Sequence, residues 1–157
     1  MTKRAPKNPS GASKPALTLD RMLEIWKSPY GSGKRPDFSQ IFPYYSGDCR
    51  FQDSIQAFQG KDKFMEMCDR LHRRCSEIYM EVHNAAQNGN IFMFEWTMTV
   101  RFGRTPLTPM RGATRITVDD KGLITEHRDY YDLWGDSLDA IPVIGKAYRL
   151  FMKTVMG

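Results

Sequence analysis

The sequence lacks the long apolar run that a membrane-spanning helix requires. No stretch approaches the roughly 18–20 consecutive apolar residues that cross a bilayer as a helix. The first residues, MTKRAPKNPSGASKPA, are basic but lack the apolar core of a secretory signal peptide. We therefore expect neither a membrane-spanning helix nor a signal peptide.

Cysteine is scarce, and its pattern excludes a disulfide framework. The chain has Cys49, Cys68 and Cys75, which are odd in number and show no CxxC spacing. Such cysteines are typical of reduced thiols in a reducing compartment. We expect a cytoplasmic protein.

Motifs for bound metals, phosphates and nucleophiles are also missing. No His, Cys or Asp spacing is typical of a metal site, and GSGKRP lacks the spacing of a phosphate-binding loop. DDKG is too short for a calcium-binding loop and predicts a hairpin turn. No Ser or Cys nucleophile motif is present. The sequence predicts neither a metal nor a cofactor.

Positive charge is concentrated at the start of the chain. The first 16 residues hold Lys3, Arg4, Lys7 and Lys14 and no acid, so four units of the net charge of +5 belong to them. The remaining unit is too little for a basic nucleic-acid-binding face, so we expect no nucleic-acid partner. Residues 1–17 are predicted to form a disordered basic tail, which is either solvated or in contact with phosphates or acidic lipids.

The rest of the chain has the composition of one globular domain. It is 41% hydrophobic and 12% aromatic over 157 residues, which predicts a single core. Apolar residues at helical spacing from Leu19 to Trp26 predict a helix with Thr18 as its N-cap. The loop SPYGSGKRPD, a short helix over FSQIFPYY and an extended stretch containing Phe51 and Asp53 follow. The clearest helix is predicted over residues 62–75.

From residue 77 the pattern changes to strands. We predict strands over EIYMEVHNAAQ, NIFMFEWTMTVRF, MRGATRITV and LITEHRDYYDL, with turns at NGN and DDKG. Helices followed by a four-strand antiparallel meander predict an α+β fold, with the helices against one face of a curved sheet.

The last residues, 141–157, predict an amphipathic helix. In IPVIGKAYRLFMKTVMG, an apolar stripe stands against Lys146, Arg149 and Lys153. Such a helix can pack on or extend the domain, cap the open end of the sheet or contact a dimer partner. It can also associate weakly with a membrane surface.

The last predicted strand is polar on both faces. In TEHRDYYDLWGD, His127, Asp129 and Tyr131 share one parity, and Arg128, Tyr130 and Asp132 share the other. This strand therefore either forms an exposed edge or lines a polar pocket.

Three segments in this order resemble a known superfamily. FQDSIQAFQGKDKF, the long aromatic strand and DDKGLITEHRDYYDL are together similar to the nuclear-transport-factor-2-like superfamily, in its SnoaL-like and limonene epoxide hydrolase-like branch. The resemblance covers roughly residues 18–140. It implies a cone: a curved antiparallel sheet wrapped by helices around an interior pocket. It also implies a homodimer formed through the convex face of the sheet. Members include enzymes and non-catalytic binders, so the fold alone does not decide the function.

The resemblance implies a set of site residues. His127, Asp129 and Tyr131 would line the pocket, and Asp129 matches the catalytic Asp of the epoxide hydrolase branch. Phe51 and Asp53 match positions that hold the attacking water, and Asp53 also matches the general base of ketosteroid isomerase.

The chain departs from both relatives. Trp96 and Met98 stand where the epoxide hydrolases have an Arg and an Asp, and Thr114 lies near the second Asp of the isomerase. The water-activating triad of the epoxide hydrolases is therefore incomplete.

The residues of the expected pocket suit acid–base chemistry. Asp53, Asp129 and His127 are the candidate catalytic groups. Apolar walls favour the protonated form of a carboxyl, which can then exchange a proton near neutral pH. The candidate substrate-binding residues are Phe51, Phe94, Trp96, Met98, Thr114 and Tyr131. The predicted function is a cofactor-independent isomerase, dehydratase or hydrolase of a small hydrophobic oxygenated molecule.

Structural interpretations of the same residues stay open. Asp53 can cap a turn. His127 can be a hydrogen-bonded core residue or face solvent on a frayed strand, and Asp129 can pair with an arginine such as Arg111 or Arg115. Under these interpretations the protein is a non-catalytic small-molecule-binding protein or a dimeric scaffold of the same fold.

Overall fold

The computed structural model describes residues 17–30, 35–104, 108–138 and 142–156. Most of the predicted basic tail, residues 1–16, and parts of two predicted loops lie outside these ranges. The described chain forms helices α1 (Leu19–Lys27), α2 (Lys61–Arg74) and α3 (Pro142–Met156), and strands β1 (Tyr45–Gln52), β2 (Ala57–Gln59), β3 (Cys75–Asn88), β4 (Ile91–Phe102), β5 (Thr108–Val118) and β6 (Ile124–Tyr131). A 3-10 turn at Phe42–Tyr44 and a π-helical turn at Leu133–Leu138 complete it.

The six strands form one curved, unclosed sheet in the order β2-β1-β6-β5-β4-β3. The predicted α+β fold and the antiparallel meander β3 to β6 are confirmed. The sheet is mixed rather than wholly antiparallel, because β1 pairs in parallel with β6. This parallel pair connects the N-terminal part of the chain to the strand that holds His127 and Asp129.

Strand β1 differs from the sequence prediction. Of the short helix predicted over FSQIFPYY, only the 3-10 turn is helical, and Tyr45 belongs to β1. The pairing of β1 with β6 is irregular between Tyr45 and Arg50. Gly47 and Asp48, which disfavour strands, lie in this irregular part, so no clean alternation marked the strand in the sequence.

The helices follow their apolar stripes. Helix α1 begins after Thr18, whose Oγ1 accepts the N–H of Arg21 at 3.3 Å, as predicted for its N-cap. It buries Met22, Ile25 and Trp26. Helix α2 buries Phe64 and Cys68 and ends one residue before the prediction, because Cys75 takes an extended conformation and opens β3.

The concave face of the sheet carries the core. Cross-strand partners share a face, so three rows run across β4, β5 and β6. The rows are Phe92, Ile116 and His127; Phe94, Thr114 and Asp129; and Trp96, Gly112 and Tyr131. The helices' buried side chains pack over these rows in one hydrophobic cluster.

Helix α3 is present where the sequence predicts it, but most of its apolar side chains are exposed in the described structure. The side chains of Val143, Leu150 and Phe151 are 79%, 69% and 61% exposed. Tyr148 stacks on Trp134, with ring centroids 5.3 Å apart, and thereby holds the helix against the domain. No helix in the described part of the chain has the length and hydropathy needed to cross a membrane.

All three cysteines are free and buried. This agrees with the predicted reduced thiols. Burial raises the pKa of each thiol, which suppresses the reactive thiolate form.

Candidate functional site

A histidine and a carboxylate meet on the concave face. Because side chains alternate along a strand, His127 and Asp129 of β6 point to the same side. Nε2 of His127 lies 2.9 Å from Oδ1 of Asp129. The hydroxyl of Thr114, directly across on β5, donates to the same Oδ1 at 2.5 Å. Both contacts use Oδ1, so neither uses Oδ2.

The other nitrogen of His127 contacts Tyr45. The phenol oxygen lies 2.8 Å from Nδ1, although the two residues are 82 positions apart in the sequence. Burial raises the pKa of the Tyr45 phenol well above its ordinary value, so the hydroxyl keeps its proton. We therefore assign Tyr45 as the donor to Nδ1, which leaves the proton of a neutral imidazole on Nε2, facing Asp129.

Aromatic rings enclose His127. The centroids of Trp26, Phe51 and Phe64 lie 4.8, 4.8 and 5.7 Å from the imidazole centroid. The histidine is 4% exposed as a result, whereas the Asp129 side chain is 19% exposed. Asp129 is thus the more solvent-exposed member of the pair.

Two buried indoles differ in their hydrogen bonding. Nε1 of Trp96 donates to Oγ1 of Thr114 at 2.8 Å, which continues the network behind Asp129. Nε1 of Trp26 is buried and has no hydrogen-bond partner among the described residues. An unsatisfied buried donor costs about 1–3 kcal/mol, so a ligand oxygen there would recover free energy.

Asp53 caps a turn at the rim of this face. Its Oδ1 accepts the backbone N–H groups of Ile55 and Gln56, both at 2.7 Å, as the turn-capping interpretation predicts. Burial first, and then the nearby charges of Asp53 and Asp129, raise the pKa of Tyr131. Tyr131 therefore lies close to both acids.

The alternative that Asp129 pairs with an arginine is wrong for the two candidates. Arg111 contacts Asp136 at 2.9 Å, and Arg115 contacts Glu126 at 3.2 Å. The partner of Asp129 is His127 instead.

The sequence pattern of the SnoaL-like domain family matches residues 20–127. The chain belongs to the SnoaL-like family. Comparison with curated protein sequences gives no match.

Solved structures share the fold of this SnoaL-like chain at low identity. An LEH-like epoxide hydrolase of M. tuberculosis is 18% identical with a TM-score of 0.62, covering 86% of this chain and 96% of its own. A protein with a ketosteroid isomerase-like fold from Catenulispora acidiphila, in complex with trimethylamine, is 15% identical with a TM-score of 0.63, covering 76% and 91%. A nuclear-transport-factor-2-like protein of unknown function from Exiguobacterium is 15% identical with a TM-score of 0.60, covering 73% and 97%.

The structure brings most of the expected residues of the SnoaL-like site together. Phe51, Phe94, Trp96 and Thr114 are buried on the same concave face as His127, while Met98, Asp129 and Tyr131 are partly buried. Around His127 the interior is filled by side chains. Two open grooves, of about 430 and 640 Å³, run along strands that carry polar side chains of the convex face, such as Arg115 and Glu95.

Sequence reasoning missed two residues of the site, Tyr45 and Trp26. The sequence predicts a helix at Tyr45, and the only signal at Trp26 is that of an apolar helix stripe. Their contacts with His127 depend on the parallel β1–β6 pair and on the packing of α1, which no local pattern records.

Proposed function

We propose that this SnoaL-like protein is a cofactor-independent acid–base enzyme that acts on a small hydrophobic oxygenated molecule. One observation carries the proposal: Asp129 is held on Oδ1 by both Thr114 and His127, and Oδ2 takes part in neither bond. A carboxylate fixed through one oxygen and partly exposed to solvent is suited to proton transfer through the other oxygen.

The roles of the surrounding residues follow from their contacts. Asp129 takes a proton from substrate carbon or from an attacking water, and then returns it to the product. The cycle involves no net oxidation or reduction, so it needs no redox partner. His127 donates to Asp129 and is a positioning residue, since it is enclosed by aromatic rings. Tyr45 holds the imidazole in the tautomer that donates to Asp129. Such general acid–base catalysis supplies about 10²–10⁴ in rate.

The walls of the site suggest the substrate class. Met98 and the ring of Tyr131 are partly buried and present apolar surface on the concave face, and Phe94 is buried in the same cluster. The Nε1–H of Trp26 has no partner among the described residues. It would donate a hydrogen bond to a carbonyl, ether or epoxide oxygen of the substrate. A small apolar molecule with one or two oxygens fits both features.

A labelling assay tests this function without knowledge of the product. Small cyclic ketones and terpene epoxides are incubated with the protein in D₂O and in H₂¹⁸O, and label uptake is followed by mass spectrometry. We expect uptake that Asp129→Asn lowers by about 10²–10⁴-fold. Glu126→Gln is the matched control, because this acid lies on the same strand and pairs with Arg115 on the opposite face. Equal rates in Asp129→Asn and wild type, or no uptake from any probe by wild type, would contradict the proposal.

A second candidate is a non-catalytic binding or scaffold protein, and one observation favours it. The rings of Trp26, Phe51 and Phe64 fill the interior around His127, which suits a structural hydrogen-bond network. Organic extracts of the purified protein separate the two candidates. A co-purified molecule that survives long incubation unchanged favours binding.

The homodimer through the convex face stays a prediction, to be tested by light scattering.

A further inference from the structure

The side chains of helix α3 lie on three faces, which differ in burial and in charge. With 3.6 residues per turn, positions three and seven apart lie on one side. Gly145, Tyr148 and Met152 are buried or partly buried and form the face held against the domain. The outward apolar face consists of exposed side chains: Val143, Ile144, Leu150, Phe151 and Val155.

The third face is cationic. Lys146, Arg149 and Lys153 follow the same spacing of three and seven residues and are exposed. No acid occurs between Pro142 and Met156, so the helix side chains carry a net charge of +3. An apolar face beside a cationic face is the pattern of helices that lie at an anionic bilayer surface.

The length of α3 fits a helix that lies on a bilayer. Its 15 residues span about 22 Å at 1.5 Å per residue, which is shorter than the roughly 30 Å hydrocarbon core. The Trp134–Tyr148 stack holds one side of the helix against the domain. The apolar side is therefore available to the lipid interface.

A second copy of the chain fits the outward apolar face of α3 less well than a lipid surface does. In a two-fold symmetric contact, the same patch faces itself. Pairing two α3 helices would bring the cations of one copy close to those of the other, and like charges disfavour that contact. An anionic lipid surface is complementary to both the apolar and the cationic face.

We propose that α3 docks this protein in the plane of an anionic lipid bilayer, with Leu150 and Phe151 inserted at the headgroup boundary and Lys146 and Lys153 at lipid phosphates. The interaction is peripheral and depends on salt, because it combines apolar burial with screened charge attraction.

Vesicle co-sedimentation of the full chain tests the proposal. One set of vesicles is pure phosphatidylcholine, and the other contains phosphatidylcholine and phosphatidylglycerol in equal parts. We expect binding to the mixed vesicles at low salt, weak binding to phosphatidylcholine, and release at about 1 M salt, where the Debye length is about 3 Å.

Paired variants assign the binding to α3. Lys146→Gln/Lys153→Gln should weaken binding to the mixed vesicles roughly 25-fold, at about fivefold per cation. Leu150→Ser/Phe151→Ser should weaken it by about 100-fold or more. The charge control is Arg73→Gln/Arg74→Gln on α2, where both side chains are exposed, and the apolar control is Ile55→Ser, 68% exposed in a loop. Both controls should bind like wild type.

Each other outcome overturns the proposal. Absence of binding at low salt excludes a lipid partner, and equal binding to both vesicle types excludes recognition of anionic lipid. Equal losses in the helix variants and the controls would show that α3 is not the docking element. If Leu150→Ser/Phe151→Ser instead converts a dimer into a monomer, and wild type does not bind vesicles, a second copy of the chain covers the outward apolar face.

Discussion

Trp96 and Gly112 face each other across β4 and β5, and the indole ring lies over the glycine. A Cβ built on Gly112 would lie 2.5 Å from two ring carbons of Trp96 and 2.7 Å from the backbone oxygen of Tyr130. The missing side chain therefore provides the space for the ring whose Nε1 donates to Thr114, behind Asp129.

Gly112→Ala should destabilise the protein by about 1–3 kcal/mol, because the added methyl group overpacks the indole. The measurement is urea unfolding followed by tryptophan fluorescence. Gly47→Ala is the matched control, since Gly47 lies in β1 and its added Cβ meets no atom within 4 Å. Equal unfolding free energies for the two variants would show that the ring moves aside at no cost.

Trp26→Phe and Trp96→Phe should differ in cost, although the two indoles are almost equally buried, at 5% and 4% exposure. Replacement of Trp96 removes a satisfied hydrogen bond, whereas replacement of Trp26 removes an unsatisfied donor. We expect Trp26→Phe to be the less destabilising change by about 1–2 kcal/mol, measured by chemical denaturation. The reverse order would show that Nε1 of Trp26 has a partner in solution, such as a bound water.

Asp53→Ala should lower the unfolding free energy by about 1–2 kcal/mol, because the backbone N–H groups of Ile55 and Gln56 lose their acceptor. For a chain of this length, that is a fall of about 2–4 °C in the thermal midpoint per kcal/mol. Asp53→Asn keeps one side-chain oxygen and should lose less. A higher midpoint in Asp53→Ala would show that the charge repulsion between Asp53 and Asp129 costs more stability than the hydrogen bonds of the turn contribute.

Stability should decline at alkaline pH. Burial raises the pKa of the phenols of Tyr30, Tyr45 and Tyr131, so the folded state holds these protons after the unfolded chain has released them. The free energy of unfolding contributed by these groups is constant below about pH 10, the ordinary tyrosine pKa, and falls above it.

Urea unfolding at pH 8 and pH 11 measures this decline. Tyr45→Phe should show a smaller decline than wild type, because it lacks one of the phenols whose pKa is raised. A decline of the same size in both proteins would assign it to other groups, such as the buried thiol of Cys68, whose pKa burial also raises.

The sequence by itself determined the elements whose signals are local. Alternating residues from residue 77 onward defined the meander, Thr18 defined the start of α1, and the RDYYD motif made Asp129 a candidate site residue. These signals suffice because strand alternation, helix capping and turn chemistry depend on neighbours within a few residues.

Only the tertiary structure decided what surrounds Asp129. Tyr45 reaches His127 across 82 positions because β1 pairs in parallel with β6. Trp26 covers the imidazole because α1 packs over the concave face. Asp53, an equal candidate in the sequence, turned out to bind backbone N–H groups at the rim. Contacts between distant segments depend on strand order and helix packing, and residue patterns along the chain do not encode them locally.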